Sequence, residues 1–307
     1  MASTPSLRTR PSLLRGLPGT ASWVLALLWA APWAALADTS NGFGLLLDVG
    51  LTLDDNVTRA KEGNDRLSDS AYAVNISKGL TLPVSAQSRL LLTGIVGGER
   101  FQTYAGLSHL DAAVEAELQY RESSEFSSPT LGLFAKFKFE DYESDVRDGH
   151  RYSLGLSISQ PLTDRISWSA ALASNQRLST SKVFSTVDTS ARVNLDYALS
   201  ARKALYLGAE YRVGDVVSTG RASLENVTIS KVFVLDNAFT GGQFFSYKIH
   251  GSTWLTTVGY NHSLGPNGSV DVAWRRVEST PELRPSWATS PRSYISNQLL
   301  ATYLLRF

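Results

Sequence analysis

Residues 43–54 read FGLLLDVGLTLD, and the alternation within this stretch decides the fold class. Every odd position from Phe43 to Leu53 is apolar, whereas most of the even positions hold glycine, threonine or aspartate. Successive side chains of a β-strand point to opposite faces, so this spacing produces one apolar face and one polar face. Helical spacing would scatter the same residues around the axis. The stretch therefore predicts an amphipathic strand.

The same alternation recurs along the chain, as in LDAAVEAELQYR at residues 110–121. Twelve strands are predicted, near residues 42–54, 70–82, 89–101, 109–121, 130–142, 151–162, 166–177, 187–199, 204–216, 247–264, 269–278 and 294–307. Most of them reach the ~9–11 residues that a tilted strand needs to cross a bilayer. The connections after even-numbered strands are short, and those after odd-numbered strands are mostly longer and polar. This sorting is typical of an all-β protein that forms a transmembrane antiparallel up-and-down β-barrel.

The connection at residues 217–246 is harder to place. Within it, LENVTISKVFVL at residues 224–235 alternates like a strand, with Val227, Ile229 and Phe233 on one face. A thirteenth spanning strand conflicts with the even strand number of single-chain bacterial barrels. We therefore expect a long extracellular loop here, either as a hairpin arm above the membrane or as a plug folded inward. Barrels of ten or fourteen strands stay open as alternatives to twelve.

Residues 1–37 have the composition of a cleaved secretory signal peptide. Three arginines and no acidic residue precede a short apolar run at residues 23–31, and Ala35-Leu36-Ala37 offers a cleavage site. The alternative is a membrane anchor, but the run is shorter than the ~20 apolar residues needed to span. Cleavage would leave residues 38–307 with 26 basic and 28 acidic residues and no cysteine. That balance gives no reason to expect a nucleic-acid partner.

The aromatic residues indicate which face of the sheet meets lipid. They fall on the apolar faces, mostly toward the strand ends, with aliphatic residues between them: Tyr72, Tyr120, Phe137, Phe139, Tyr152, Trp168, Tyr197, Tyr211, Trp254, Tyr260, Trp274, Tyr303 and Phe307. Membrane barrels carry such aromatic girdles at both interfaces with water. The apolar faces are therefore predicted to point outward to lipid, and the polar faces inward to the lumen.

The last strand adds a resemblance. It ends with Leu299, Ala301, Tyr303, Leu305 and Phe307 on one face. Together with the signal peptide and the amphipathic strands, this ending resembles the outer-membrane β-barrel proteins of Gram-negative bacteria. In that class the terminal phenylalanine and the alternating apolar residues before it form the signal read by the barrel-assembly machinery. The resemblance implies that the barrel lies in the cell outer membrane among its lipid and lipopolysaccharide. DDNV at residues 54–57 is also similar to the start of uncharacterised porins.

Charged side chains on the polar faces are predicted to line the lumen. They are Asp48, Lys78, Arg89, Glu99, Glu115, Glu117, Lys136, Lys138, Arg192, Asp196, Glu210, Arg212, Asp271 and Arg275. Pairing Leu118 with Leu133 across the short turn after the fourth strand would place Glu115 opposite Lys136. Rings of charge in a narrow passage would bias which solutes pass, but both signs occur here and predict no selectivity. A narrow porin for small polar solutes is one hypothesis. A closed barrel that displays loops, or that assists export of a surface molecule or polysaccharide, is the other.

Enzymatic chemistry has one candidate pair. His250 and Ser252 lie two residues apart on a strand, so they share a face, and some outer-membrane lipid acyl hydrolases resemble this His-x-Ser arrangement. Nucleophilic catalysis also needs a third group that orients the base, and the sequence offers no acidic residue in that role. The four histidines have no metal-ligand spacing, so neither a metal nor a cofactor is predicted.

Overall fold

The computed structural model describes residues 44–61, 63–239 and 243–307, so the predicted signal peptide at residues 1–37 lies outside the described residues. Thirteen strands form one antiparallel sheet. They are β1 (Leu45–Asp54), β2 (Asp69–Pro83), β3 (Ser88–Phe101), β4 (His109–Arg121), β5 (Thr130–Tyr142), β6 (Gly149–Pro161), β7 (Ile166–Ser179), β8 (Thr186–Ser200), β9 (Lys203–Arg221), β10 (Val232–Leu235), β11 (Phe244–Ser263), β12 (Gly268–Pro281) and β13 (Tyr294–Arg306). One short helix, α1 (Leu224–Ile229), precedes β10, and 3-10 turns lie at Gly63–Asp65, Ala105–Leu107 and Asp145–Arg147.

Twelve of these strands close into a barrel. β13 pairs with β1 from Leu46↔Arg306 to Asp54↔Gln298, and β9 pairs with β11 over the whole length of β9. Closure pairs the backbone groups that an open sheet would leave at its two edges, and lipid offers no other partner for them. The predicted all-β barrel of twelve strands is confirmed, and β10 is an extra strand that pairs only with β11.

The two faces of the barrel wall differ as the alternation predicts. Outward residues such as Val96, Leu154 and Leu172 are about 60% exposed, whereas inward residues include many buried polar side chains. An apolar outer surface on a closed barrel is the arrangement of a membrane barrel. Among the described residues, no helix is long and apolar enough to cross a membrane.

The barrel has a turn end, where the short connections and the chain's last residue lie, and a loop end with the longer connections. Large side chains fill the lumen on the turn-end side. Phe134 packs against Gly155, and a methyl group added there would lie 2.5 Å from the Phe134 ring. Tyr206 lies along the inner wall over Gly259, its partner on β11, and donates a 2.8 Å hydrogen bond to Asp271 of β12. With Ala273 and Leu300, Tyr206 forms a buried cluster inside the barrel.

At the loop end, β9 and β11 continue beyond the barrel wall as a two-stranded ribbon, defined here as residues 214–221 and 244–251. Gly214 is the last β9 residue paired with β8, and Gly251 is the last β11 residue paired with β12. The two glycines are opposite each other. Gly214 has a φ of 151°, a region that side chains avoid. The ribbon therefore leaves the wall at a pair of glycines.

The expectation for residues 217–246 needs a correction. β9 extends to Arg221 and β11 begins at Phe244, and the part predicted to alternate as a strand begins as helix α1. Ser223 caps this helix, since its hydroxyl accepts a 3.1 Å hydrogen bond from the Asn226 N–H. Ile229 is buried against Tyr247 and Tyr294. Tertiary packing and the cap thus override a weak period-2 pattern over residues 224–229.

Candidate solute vestibule

A cavity of about 480 Å³ occupies the loop-end half of the barrel. Its walls are inward residues of the barrel strands, and we call it the vestibule. Ribbon residues Gly214 to Val217, Thr219 and Gly251 bound it together with loop residues such as Thr58, Arg147 and Phe184. The vestibule is therefore enclosed by the barrel wall, the ribbon and the loops around the mouth.

The ribbon and its connection touch the loops that surround the mouth. In the loop between β1 and β2, Thr58 accepts a 2.8 Å backbone hydrogen bond from Thr219, and Lys61 pairs with Glu225 of α1. In the loop between β5 and β6, Arg147 pairs with Asp236.

Apolar contacts accompany these polar ones. Phe239 lies 5.2 Å from Tyr104 between ring centroids and packs with Leu107, Ala238 and Phe244. Gly106 fits against Ala238 so tightly that an added methyl group would lie 2.5 Å from its Cα atom. Loops from separate hairpins thus hold the ribbon and its connection over the mouth.

The α1 contact is electrostatic as well as steric. Partial burial acts to raise the pKa of Glu225, but hydrogen bonds from Lys61 and Ser290 outweigh it, and the pKa lies below its usual value. The folded-state carboxylate therefore stays charged to a lower pH than in the unfolded chain, and the stabilisation from this contact is lost as the pH falls through the lowered pKa.

Most of the predicted lumen residues lie on inward rows. Those that line the vestibule are Glu99, Glu115, Lys136, Lys138, Arg192, Glu210 and Arg212. Arg275 lies 3.3 Å from the Thr257 hydroxyl, and Asp48, Arg89, Glu117, Asp196 and Asp271 lie on inward rows nearer the turn end. Lys78 is a correction: its Cα partner is Leu45, on the row that continues Val74 and Ile76, so it lies on the outward face.

The vestibule charges form ion pairs along its wall. Glu115 faces Lys136 in the register, as predicted, and their charged atoms lie 3.4 Å apart. Arg212 donates a 2.7 Å hydrogen bond to Glu210. Arg59, which has a left-handed backbone with a φ of 55°, pairs with Asp54 at 2.8 Å.

The densest group was predicted only through Lys138. Glu140 lies among Arg177 at 3.0 Å, Lys138 at 3.6 Å and Arg151 at 3.7 Å, and Lys138 also pairs with Asp111 at 3.4 Å. Arg151 lies on the inward row of β6 and Arg177 on the inward row of β7. Strict application of the two-residue alternation would have predicted both as lumen residues. Two buried carboxylates, Glu140 and Asp111, thus neutralise part of a cluster of three cations.

The candidate hydrolase pair lies on the outward face. His250 is opposite Asp215, and its ring nitrogens lie 3.9 Å from an Asp215 oxygen and 3.8 Å from a Glu282 oxygen. Asp215 is itself paired with Lys231 at 3.1 Å. Among the described residues, no hydrogen bond joins His250 to Ser252. An acidic neighbour that the sequence did not reveal is present, but the geometry does not assemble a triad.

The residues of the predicted assembly signal lie on the outward face of β13. Leu299 and Tyr303 are outward and exposed, opposite Leu53 and Val49 of β1. The backbone N–H of Phe307 donates a 2.9 Å hydrogen bond to the Leu45 carbonyl. The last residue is thus fixed beside the first strand.

Comparison with known proteins gives structural likeness only. No protein-family model matches the chain, and no curated protein matches it. A solved structure of the KdgM porin in complex with disordered oligogalacturonate is 11% identical, with a TM-score of 0.47, and the match covers 85% of this chain and 99% of that one. The transport unit of the autotransporter AIDA-I from Escherichia coli is 7% identical, with a TM-score of 0.45, and the match covers 92% of this chain and 97% of that one. The NanC porin is 8% identical, with a TM-score of 0.44, and the match covers 85% of this chain and 100% of that one.

The fold is that of an outer-membrane β-barrel. This follows from the closed antiparallel barrel, its apolar outer surface and the polar rows inside it.

Proposed function

We propose that the protein is an outer-membrane channel for small polar solutes, exported through a cleaved signal peptide. The observation that supports it best is a charged vestibule inside a barrel that is apolar outside. Its volume falls within the ~300–1,000 Å³ of ordinary small-molecule sites. The loop end would face the exterior and the turn end the periplasm. Outer-membrane lipid and lipopolysaccharide would surround the wall, and the row ending at Phe307 would contact the assembly machinery.

In this conformation the ribbon lies over the outer mouth, and a solute would enter only when it moves. The glycine pair at its base supplies the flexible point, because glycine adopts backbone angles that other residues avoid. The contacts that the ribbon and its connection make with Thr58, Lys61, Gly106 and Arg147 would have to break. The ribbon would therefore act as the constriction of the channel.

Planar-bilayer conductance tests this function. We expect discrete conductance steps from the purified barrel and more frequent or larger steps from Gly106→Val, because the added side chain cannot fit against Ala238. Gly94→Val is a matched control, since nothing lies within 4 Å of an added methyl group at that position. Absence of steps from both the wild type and Gly106→Val would contradict a channel.

A closed barrel that displays loops or assists export is the second candidate. It is favoured by the side chains that fill the turn-end lumen, Phe134, Tyr206 and Leu300 among them. The same recordings separate the two candidates, because a closed barrel gives no steps even when Gly106→Val releases the ribbon.

A further inference from the structure

We infer that the vestibule is a binding site for small anionic solutes, those that carry a carboxylate, and that Arg151 and Arg212 are its main contacts. The inference deepens the proposed function, and it rests on that function for how a solute reaches the site. It adds a charge preference that the mixed signs in the sequence did not predict.

The first support is unequal access to the two members of three ion pairs in the vestibule. The side chain of Arg151 is 37% exposed while that of its partner Glu140 is 1% exposed. For Arg212 and Glu210 the fractions are 31% and 15%, and for Arg59 and Asp54 they are 24% and 6%. The carboxylates lie against the wall and the cations project into the cavity. A solute would therefore meet positive charge first.

The second support is that two of the carboxylates, Asp54 and Glu140, are already engaged. Asp54 accepts hydrogen bonds from Ser296 at 2.7 Å and from Gln298 at 2.8 Å, in addition to its ion pair with Arg59. Glu140 is shared among three cations. These acceptors have little capacity left for a cationic solute.

The third support is the donor capacity of Arg151. A guanidinium has five N–H donors, and the partner of Arg151 is the Glu140 oxygen at 3.7 Å, beyond hydrogen-bond distance. Its Nε atom is buried, so the donors that a solute can reach are those at the exposed end of the guanidinium. Donors of this side chain are therefore available to a ligand.

The strand register supplies an independent reason for an anion here. Arg151 on β6 is directly opposite Lys138 on β5 and Arg177 on β7, so three cations form one row across neighbouring strands. Like charges directly opposite each other on a sheet destabilise it. Glu140 and Asp111 offset part of this repulsion, and a bound anion beside Arg151 would offset more.

A carboxylate fits the donors and the volume. The planar fork of a guanidinium matches a carboxylate with two parallel hydrogen bonds. The cavity of about 480 Å³ holds a small organic acid rather than a polymer. The site is predicted to bind monomeric sugar acids or small organic acids.

Titration calorimetry of the folded full-length mature barrel tests the inference. The probe is sodium gluconate, and the matched control ligand is sorbitol, which has the same carbon chain without the carboxylate. We expect gluconate to bind and sorbitol not to bind. Added salt should weaken the binding, because screening reduces attraction between charges.

Variants connect the binding to the vestibule. Arg151→Gln with Arg212→Gln should weaken gluconate binding at least tenfold, and each single variant should weaken it less. Arg100→Gln makes the same chemical change on the outward face, where Arg100 is opposite Tyr72, and should leave binding unchanged. If both proteins fold and the double variant binds gluconate as tightly as the wild type, the assignment is overturned.

The result does not depend on conductance. If gluconate binds and no steps are recorded, the anion site stands and the channel fails. If steps are recorded and gluconate binds neither the wild type nor Gly106→Val, in which the ribbon is released, the channel stands and the anion site fails.

Discussion

The vestibule and the turn-end lumen belong to one barrel but handle charge in opposite ways. In the vestibule, carboxylates such as Glu140 and Glu210 have basic partners within 4.0 Å. In the turn-end lumen, no ion pair within that distance joins Asp48, Asp196 or Asp271 to a basic side chain of the described chain. The first region is held by paired charges around a cavity, and the second by packed aromatic and aliphatic side chains.

This difference shows what each region can tolerate. Removing one member of an ion pair in the vestibule leaves its partner as an unpaired buried charge, which destabilises the fold. An isolated carboxylate packed inside the barrel, such as Asp48, only incurs the cost of its own burial. Neutralising a carboxylate should therefore lower the free energy of unfolding in the vestibule but leave it unchanged or raise it in the turn-end lumen.

The largest effect is expected from Tyr206→Ala in the turn-end lumen. The change removes the ring that packs against Gly259 and the hydrogen bond to Asp271. We expect the free energy of unfolding to fall by about 4 kcal/mol, measured by urea titration in lipid vesicles. Tyr206→Phe keeps the ring and should lose only about 1 kcal/mol. Equal losses in the two variants would show that packing does not hold this region.

A somewhat smaller effect is expected from Glu140→Gln in the vestibule. The substitution leaves Lys138, Arg151 and Arg177 beside one another without their shared carboxylate. We expect a loss of about 3 kcal/mol in the free energy of unfolding, and high salt should restore part of it. Glu115→Gln removes a more exposed partner of Lys136 and should cost about 1 kcal/mol or less. A loss for Glu140→Gln no larger than for Glu115→Gln would break the contrast.

The smallest effect is expected from Asp48→Asn. Both carboxylate oxygens of Asp48 are buried and have no hydrogen-bond partner among the described residues. Because no partner is lost, the free energy of unfolding at pH 8 should change by less than about 0.5 kcal/mol or should rise. A loss above about 1.5 kcal/mol would show that this carboxylate does pair in the membrane.

The sequence predicts the barrel well because its periodicity is local. The alternation in FGLLLDVGLTLD corresponds to β1, and Glu115 faces Lys136 because a short turn sets their register. A hairpin arm was predicted within residues 217–246, but helix α1 and the loop contacts of the ribbon were not. Their contacts join residues far apart in the chain, such as Ser144 and Asn237 or Lys61 and Glu225, and no local pattern specifies such pairs.

The candidate site was predicted only in part for the same reason. Inward charges follow from alternation, and Lys78 was misplaced where that rule was not kept. Arg151 is far more exposed than Glu140. This difference depends on how three neighbouring strands pack and on the directions of the two side chains. That information exists only after the barrel closes.

The pairing of β1 with β13 has a consequence for the order of events in biogenesis. Leu53 and Leu299 are adjacent in the wall, although they lie near opposite ends of the described chain. Translation runs from the N-terminus, so β13 is synthesised after the other strands. The barrel therefore cannot close while the chain is still being made. A truncated product without β13 would have two unpaired edge strands. In lipid, each unsatisfied backbone group on those strands costs several kcal/mol. Insertion is therefore all-or-none with respect to chain length.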